Sequence, residues 1–296
     1  MSRIGSGREH GQEWGALRTG LVVSSGLCLA ELVGGYLTNS LALMSDAAHM
    51  FTDVAALGLA LFALWVCARP ASASKTYGFY RAEILAALVN GVILWVVVVF
   101  IVLEALRRTR QPEPVAGGGM LAVAVVGLVA NVFVALRLRA HRDHSLNLRG
   151  AYLHVLSDLL GSVGAVAAGA VVVATGWYTA DVVASVAIAA LILFGSWSLV
   201  REAVDVLMEA VPAHIDLDRL QGALERVPGT HEVHDLHVWS LTTGHHALSA
   251  HAVADGTVAP DAMLAAMSDV CAREFDIDHV TIQIEGENRR AVERGH

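Results

Sequence analysis

Two histidine–aspartate pairs with the same spacing occur in the 296-residue sequence. His49 precedes Asp53 by four residues in "SDAAHMFTD", and His154 precedes Asp158 by four residues in "AYLHVLSDLL". In an α-helix, residues four apart lie on one face. Two neutral imidazoles and two carboxylates form a tetrahedral set of borderline-hard donors, which suits Zn²⁺. The alternative is two structural His–Asp hydrogen bonds, one on each helix.

A further acidic residue lies close to the first pair. Asp46 precedes His49 by three residues, within a segment, 40–67, that is otherwise mostly apolar. Asp46 has three interpretations: a partner that orients His49, a relay at the mouth of the site, or a charge at a helix N-terminus. Other polar residues in apolar segments are expected to form interior contacts between helices: Glu31, Asn90 and Asn131.

The elements that carry these residues are predicted to be membrane-spanning helices. Charged residues make up 16% of the chain and hydrophobic residues 55%, whereas about a quarter of a soluble domain is charged. A spanning helix needs about 20 mostly apolar residues. Six stretches qualify: 16–38, 41–67, 82–106, 117–138, 148–174 and 179–203. Buried helices of a large soluble protein are the alternative, and six such segments in succession disfavour it.

Both pairs then fall near the middle of the membrane. A charged side chain at that depth costs roughly a few kcal/mol, so it usually has a partner and a function. Small residues follow Asp158 in the fifth stretch, among them Gly161 and Gly164. Such residues let two helices approach closely, which favours a shared site over two separate hydrogen bonds.

The distribution of Lys and Arg predicts the orientation of the helices. The N-terminal segment and the second and fourth loops contain several of these residues, and the first and fifth loops contain none. Positive loops usually face the cytoplasm. We therefore expect a multi-pass protein of the cell inner membrane with both termini cytoplasmic, although the third loop, with Arg107, Arg108 and Arg110, disagrees.

The last 85 or so residues differ in pattern from the apolar part. They read in order as helix, strand, strand, helix and strand, with Pro260 near the start of the second helix. This order predicts a small α+β domain on the cytoplasmic side.

Several functional classes are excluded. The net charge of −8 provides no basic face for nucleic acid. The three cysteines are far apart and form no CxxC pair, which disfavours a disulfide framework. The chain has no HExxH motif, and its two pairs offer four ligands without a spare base. An intramembrane zinc hydrolase is therefore disfavoured, and we expect the protein not to be an enzyme.

Four segments together resemble the cation diffusion facilitator family, in its zinc-transporting branch. They are "SLALMSDAAHMFTD", "YGFYRAEILAALVNG", "AYLHVLSDLLGSVG" and "HDLHVWSLTTGHHALSAH". The resemblance covers residues 20–285 approximately. It implies a homodimer with six helices per protomer, a ferredoxin-like or metallochaperone-like cytosolic domain, and exchange of Zn²⁺ for protons across the bilayer.

The resemblance also assigns residues. It implies a transport site of His49, Asp53, His154 and Asp158. The second loop lacks His, Asp and Glu, so no site is expected there; His141 and His144 of the fourth loop are expected to be solvated rather than to pass zinc to the entrance. In the cytosolic domain the implied ligands are His234, His251 and Glu285, with Gln283 where relatives have a histidine, which puts the site in doubt. His237 or His245 could contribute to a weaker site. The resemblance further implies a charge pair of Arg81 with Glu209, or with Asp205.

The implied function is proton-coupled export of zinc, with cadmium and cobalt as further candidate substrates, by alternating access around the four intramembrane ligands. A membrane-anchored metal sensor that transports nothing is the alternative. The implied domains are a cytosolic tail (1–15), a six-helix transport domain (16–208), a cytosolic metal-binding and dimerisation domain (209–288) and a second tail (289–296). Zinc is expected as substrate and as a regulator of the cytosolic domain.

Overall fold

The structure is a computed structural model that describes residues 6–67, 69–139, 146–242 and 244–286. Within the helices it leaves out the side chains of residues 6–21, 57, 60, 61, 64, 146–151, 153 and 154. Six long helices come first: α1 (Ser6–Thr38), α2 (Leu41–Cys67), α3 (Arg81–Arg110), α4 (Gly117–Arg139), α5 (Leu146–Thr175) and α6 (Thr179–Leu207). The rest comprises α7 (Leu217–Glu225), β1 (Thr230–Thr242), β2 (His245–Ala254), α8 (Pro260–Phe275) and β3 (His279–Gly286).

The order of elements predicted from the sequence is confirmed, and three boundaries differ by four or more residues, one being the end of α6 at Leu207 rather than at residue 203. α1 begins at Ser6 rather than at residue 16, and α3 continues to Arg110 rather than ending at residue 106. At the end of α3, Arg107 and Arg108 both donate hydrogen bonds to Glu104. Ion pairs three and four residues apart stabilise a helical turn, which explains the longer α3.

The long helices carry apolar surface on the outside. Within the described residues, four segments could cross a membrane by length and composition: Arg81–Arg110, Gly117–Arg139, Val155–Thr175 and Thr179–Leu207. Large side chains on these segments face outward, with Phe100 67% and Phe194 84% exposed. Exposed apolar surface on this scale is rare on soluble monomers and is expected where lipid covers it.

The chain divides into two compact units. The first comprises Met1–Leu59 and Val89–Ser198, and the second comprises Ala60–Leu88 and Leu199–His296. In the first unit, α4 packs against α1 and α5. A Cβ on Gly34 of α1 would lie 2.7 Å from Val123, and one on Gly169 of α5 would lie 3.1 Å from Leu121. Because glycine has no side chain, α1 and α5 can approach α4 closely at these two positions.

An aspartate of α6 holds the N-terminus of α2. Asp181 is fully buried and accepts hydrogen bonds from the Ser40 hydroxyl at 2.6 Å and from the backbone N–H groups of Leu41 at 2.7 Å and Ala42 at 3.1 Å. N–H groups at the start of a helix have no acceptor within the helix, and a negative charge there also interacts favourably with the helix dipole. The contact fixes the start of the helix that carries the first histidine–aspartate pair.

The arginines that disagree with the loop charge bias have structural partners. Arg108 is buried and donates to the backbone oxygen of Asn39 at 2.7 Å and to its side-chain oxygen at 2.9 Å. Its guanidinium also lies 3.9 Å from Asp181. Arg107 donates to Glu113 at 2.7 Å. These contacts tie the end of α3 to the turn between α1 and α2.

We expect Asp181→Ala to lower the stability of the protein. The substitution removes three hydrogen bonds and leaves buried donors without acceptors, at a cost of about 1–3 kcal/mol for each such group. Thermal unfolding in detergent measures the effect. Asp205→Ala is the matched control, because this aspartate of α6 is 55% exposed. Equal melting temperatures for the two variants would show that Asp181 does not anchor α2.

The second unit contains the predicted α+β domain, which is built on a three-stranded sheet of order β1-β2-β3. β1 and β2 are antiparallel, and β3 is parallel to β2 after a crossover through α8. Asp216 caps α7 by accepting a hydrogen bond from the backbone N–H of Arg219 at 3.1 Å, and Pro260 begins α8, where its missing N–H costs nothing. The core includes fully buried side chains from both helices, the sheet and the connection after α8: Leu220, Leu224, Leu248, Met263, Met267 and Ile277.

Candidate metal sites

Three members of the two predicted pairs meet between α2 and α5. His49, Asp53 and Asp158 each present a ligand atom, and these atoms all lie within 4.8 Å of one another. The Nε2 atom of His49 is 3.8 Å from Asp53 Oδ2 and 3.7 Å from Asp158 Oδ1. Ligand atoms around tetrahedral Zn²⁺ with bonds of about 2.0 Å are about 3.3 Å apart. The two measured distances would thus have to contract by only about half an ångström to hold this ion.

The three side chains differ in burial. Asp158 is 5% exposed, whereas His49 is 20% and Asp53 28% exposed. His154 lies in α5 one turn before Asp158, so its backbone is on the same face of the helix. Its side chain is outside those that the structure describes, and its role as fourth ligand remains a prediction. The cluster therefore combines two carboxylates and an imidazole. Its α5 ligand, Asp158, is buried, and Asp53 of α2 is partly exposed.

Asp46 is a buried residue of α2. It is 2% exposed, and its carboxyl group is hydrogen-bonded to that of Glu31 on α1. It is the sixth residue of α2, and the carboxylate that meets the first N–H groups of this helix is that of Asp181. The three interpretations of Asp46 stay predictions, and its burial and its contact with Glu31 add a partner on α1.

A second cluster lies on the sheet of the α+β domain. His234 of β1 is paired with His251 of β2, and their rings are 5.4 Å apart. His251 Nδ1 lies 3.1 Å and His234 Nε2 lies 3.9 Å from the carboxylate of Glu285 on β3, which is 2% exposed. The ligand atoms of the three residues are within 4.8 Å of one another. The structure thus brings together the three candidate ligands of the cytosolic domain.

Gln283 supports this cluster through a hydrogen bond. It is paired with His251 across β2 and β3, and its side-chain amide donates to Glu285 Oε1 at 2.5 Å. An amide nitrogen is not a metal ligand, so the residue orients the carboxylate in the way that outer partners orient ligands at metal sites.

Cys271 is a buried core residue whose burial raises its pKa to about 11, so its thiol stays protonated at neutral pH.

The other two histidines that were weighed as ligands, His237 and His245, each contact an aspartate outside the three-residue cluster. His237 lies 2.9 Å from Asp235, and His245 lies 3.1 Å from Asp278. Burial, and to a lesser extent the neighbouring His214, lowers the pKa of His246 below its ordinary value. Neither His237 nor His245 belongs to the cluster of His234. His141 and His144 lie outside the described residues.

Arg81 forms an ion pair with Glu209. The Arg81 guanidinium donates to Glu209 Oε1 at 2.7 Å, whereas Asp205, the other predicted partner, lies 3.7 Å from Arg201. The side chains of Arg81 and Glu209 are 38% and 58% exposed. An ion pair exposed to this extent contributes at most about 1 kcal/mol to stability.

Sequence reasoning missed the buried Asp181 and did not identify the partner of the buried Glu31. Glu31 was expected to form interior polar contacts, and the structure pairs it with Asp46. The signal was available, because an unpaired acid inside an apolar helix calls for a partner. Asp181 was assigned no role, because its position in the first turn of α6 gave no indication that it would cap another helix.

The sequence was compared with known families and proteins. Residues 17–208 match the family described as the cation efflux transmembrane domain, and residues 212–287 match the cytoplasmic domain of cation efflux proteins. The chain is 41% identical over 286 residues to the metal cation efflux system protein CzcD of Cupriavidus metallidurans, covering 95% of this chain and 90% of that protein. It is 39% identical over 293 residues to a cadmium, cobalt and zinc/H⁺-K⁺ antiporter of Bacillus subtilis, covering 96% and 93%.

A third relative and one solved structure complete these findings. The zinc transporter ZitB of Escherichia coli is 40% identical over 265 residues, covering 89% of this chain and 84% of that protein. The metal-bound C-terminal domain of the CzcD transporter from Cupriavidus metallidurans is 40% identical and covers 24% of this chain and 99% of that chain, with a TM-score of 0.23. The predicted family and fold class are confirmed. The chain belongs to the cation efflux, or cation diffusion facilitator, family and combines its transmembrane domain with its cytoplasmic domain.

Proposed function

We propose that this protein exports Zn²⁺ from the cytoplasm in exchange for protons, with His49, Asp53, His154 and Asp158 as the ligands of the transported ion. Cadmium and cobalt are further candidate substrates, since the relative from Bacillus subtilis carries cadmium, cobalt and zinc in its name. The observation that carries the proposal is the convergence of His49, Asp53 and Asp158 from two helices of the transmembrane domain, with ligand atoms within 4.8 Å.

The charge of the site supports a divalent substrate. Asp53 and Asp158 bring two negative charges to a region where an unneutralised charge is costly. A doubly positive ion balances them, and neutral imidazoles add bonds without adding charge. The ligands are those that zinc accepts, and calcium or magnesium would prefer oxygen ligands alone.

Protons and zinc compete for the same side chains. Zinc binds the deprotonated forms of carboxylates and imidazoles, so a proton on any ligand weakens metal binding. Free imidazole titrates at about pH 6.5, so an acidic compartment outside the cell favours release and prevents rebinding. Alternating exposure of a fixed site to the two sides of the membrane then couples outward zinc movement to inward proton movement.

The proposal extends to assembly and location. We infer a homodimer in the inner membrane, with a transport domain at 16–208 and a cytosolic domain at 209–288, and with both termini in the cytoplasm. The cytosolic cluster of His234, His251 and Glu285 would bind zinc as a regulator, using two imidazoles and a buried carboxylate. Zinc bound there signals a cytoplasmic excess of the ion.

That cluster also suits the alternative, a membrane-anchored sensor that binds zinc and transports nothing. Zinc flux into proteoliposomes under an imposed pH gradient separates the two functions. A transporter accumulates zinc in vesicles with an acidic lumen and loses this activity in His49→Ala, which keeps the cytosolic ligands. A sensor binds zinc in both forms and accumulates it in neither, and that result would refute the proposed export.

We expect His234→Ala combined with His251→Ala to retain zinc flux and to alter its zinc dependence. The four proposed transport ligands lie in α2 and α5, so the chemistry of transport does not need these two histidines. The measurement is initial flux against zinc concentration, with His231→Ala, an exposed histidine of the same strand, as control. Complete loss of flux in the folded double variant, with normal flux in the control, would place essential chemistry in the cytosolic domain.

A further inference from the structure

Two carboxyl groups are in contact inside the transmembrane domain without serving as predicted metal ligands. Glu31 of α1 is 1% exposed and Asp46 of α2 is 2% exposed. The two groups are hydrogen-bonded to each other. Neither residue belongs to the cluster of His49, although Asp46 is only one helical turn from it.

Glycines on two further helices make room for this pair. A Cβ on Gly127 of α4 would lie 2.5 Å from Glu31 Oε1, and a Cβ on Gly161 of α5 would lie 3.1 Å from Asp46 Oδ1. Any larger residue at Gly127 would displace the Glu31 carboxyl group. The pair therefore lies in a close-fitting space between α1, α2, α4 and α5. It is a buried pair and not part of an exposed acidic patch.

The contact requires a proton. Two carboxylates in contact away from water cannot both remain charged, and one proton held between them relieves the repulsion. Each group also has an oxygen, Glu31 Oε2 and Asp46 Oδ2, that is buried and has no hydrogen-bond partner among the described residues. A second proton on either oxygen would neutralise the pair completely.

We propose that Glu31 and Asp46 form a proton-binding site, distinct from the metal ligands, that exchanges one proton for each zinc ion transported. The inference rests on the proposed proton-coupled export. With one proton the pair has a charge of −1, and with two protons it is neutral. The exchange forms and breaks a single carboxyl O–H bond, with the proton taken from water on the outer side and returned to water on the cytoplasmic side.

Charge links this pair to the metal site. Asp158 of α5 acts on both carboxyl groups through its charge, and Asp53 of α2 acts on Asp46. The negative charge that these two aspartates carry as carboxylate ligands favours a second proton on the pair. Zinc neutralises them and favours its release, so metal and proton bind in opposition, and the coupling is reciprocal by linkage.

The other groups around the pair do not replace it as the source of this proton. α1 contributes the thiol of Cys28, whose Sγ donates to the backbone oxygen of Ala47 at 3.4 Å. α4 contributes Asn131, which is neutral and donates to Ser162 of α5 at 2.9 Å. α2 and α5 also carry His49 and His154, whose protons are counted with the metal ligands.

The test counts the protons released when zinc binds. The full chain with His234→Ala and His251→Ala, so that the cytosolic cluster is removed, is titrated with zinc chloride in weakly buffered detergent containing a pH indicator. Glu31→Gln keeps the shape of the side chain and cannot ionise. Asp46→Asn is a second variant of the same kind, and Glu202→Gln, an exposed carboxylate of α6, is the matched control.

We expect Glu31→Gln and Asp46→Asn each to release about one proton fewer per zinc ion than the parent, and the zinc affinity of each variant to depend correspondingly less on pH. The double variant should release no fewer than either single variant, because one proton is shared. An undiminished proton count in both single variants would overturn the proposal, as would a tenfold or greater loss of zinc affinity with the count unchanged. Zinc flux of the parent chain is measured separately, so a failure of the export proposal is distinguishable from a failure of this one.

Discussion

Asp158→Ala is expected to abolish zinc transport. Asp158 is the most buried of the three side chains that converge at the proposed transport site, at 5% exposure. Its removal deletes a ligand and leaves one carboxylate to balance a doubly charged ion at low dielectric. Loss of a residue that merely orients a ligand costs 10–100-fold in metal affinity, so loss of the ligand itself should reduce flux to below about 1% of the wild-type rate.

The measurement is zinc uptake into proteoliposomes that contain equal amounts of folded protein. Asp205→Ala is the control, because Asp205 is an exposed carboxylate near the end of α6. It should transport at nearly the wild-type rate. Flux of Asp158→Ala within twofold of the control would mean that this aspartate does not bind the transported ion.

His49→Asp is expected to retain transport with reduced selectivity and weaker proton coupling. The substitution replaces a neutral nitrogen with a charged oxygen, so the site gains a third carboxylate. Oxygen donors shift selection from zinc toward harder or larger ions. We expect the ratio of Zn²⁺ to Cd²⁺ flux to fall by roughly tenfold, which corresponds to about 1.4 kcal/mol.

The pH response of this variant follows from the lost imidazole. One group that titrates near neutral pH disappears, so fewer protons are exchanged for each ion and the flux depends less on the pH gradient. Zinc and cadmium uptake at two luminal pH values measures both effects. Wild-type selectivity together with a wild-type pH response would contradict the assignment of His49 as a ligand.

The candidate site was predictable because it depends on local spacing. Residues four apart share a helical face whatever the tertiary structure, so the pairs at His49 and His154 identified both helices and the sides that face each other. The α+β domain was predictable for a similar reason, since alternating apolar residues and turn signals are local features. In the described residues, the ligand atoms of His49, Asp53 and Asp158 lie within 4.8 Å of one another, and their role as ligands stays a prediction.

The Glu31–Asp46 pair was within reach of the sequence but needed the turn between the helices. Glu31 lies seven residues before the end of α1 at Thr38, and Asp46 lies five residues after the start of α2 at Leu41. At 1.5 Å per residue, the two depths in an antiparallel pair of helices differ by about 3 Å. This small difference in depth indicates that contact is possible, and the packing of α4 and α5 determines that it occurs.

The cap of α2 by Asp181 could not be predicted. Asp181 and Leu41 are 140 positions apart in the sequence, and no local pattern relates them. The same holds for Arg108 and Asn39, separated by 69 positions. Charge counting treated Arg108 as a loop cation, whereas it is a buried side chain with specific acceptors.

X-ray absorption at the zinc edge tests the central claim most directly. The sample is the full chain with His234→Ala and His251→Ala, loaded with one zinc ion per protomer. The account predicts four nitrogen and oxygen neighbours at about 2.0 Å with scattering from two imidazoles, and loss of this signal when Asp158→Ala is added. A sulfur neighbour at about 2.3 Å, or a shell of six oxygens without imidazole, would contradict the proposed site of two histidines and two aspartates.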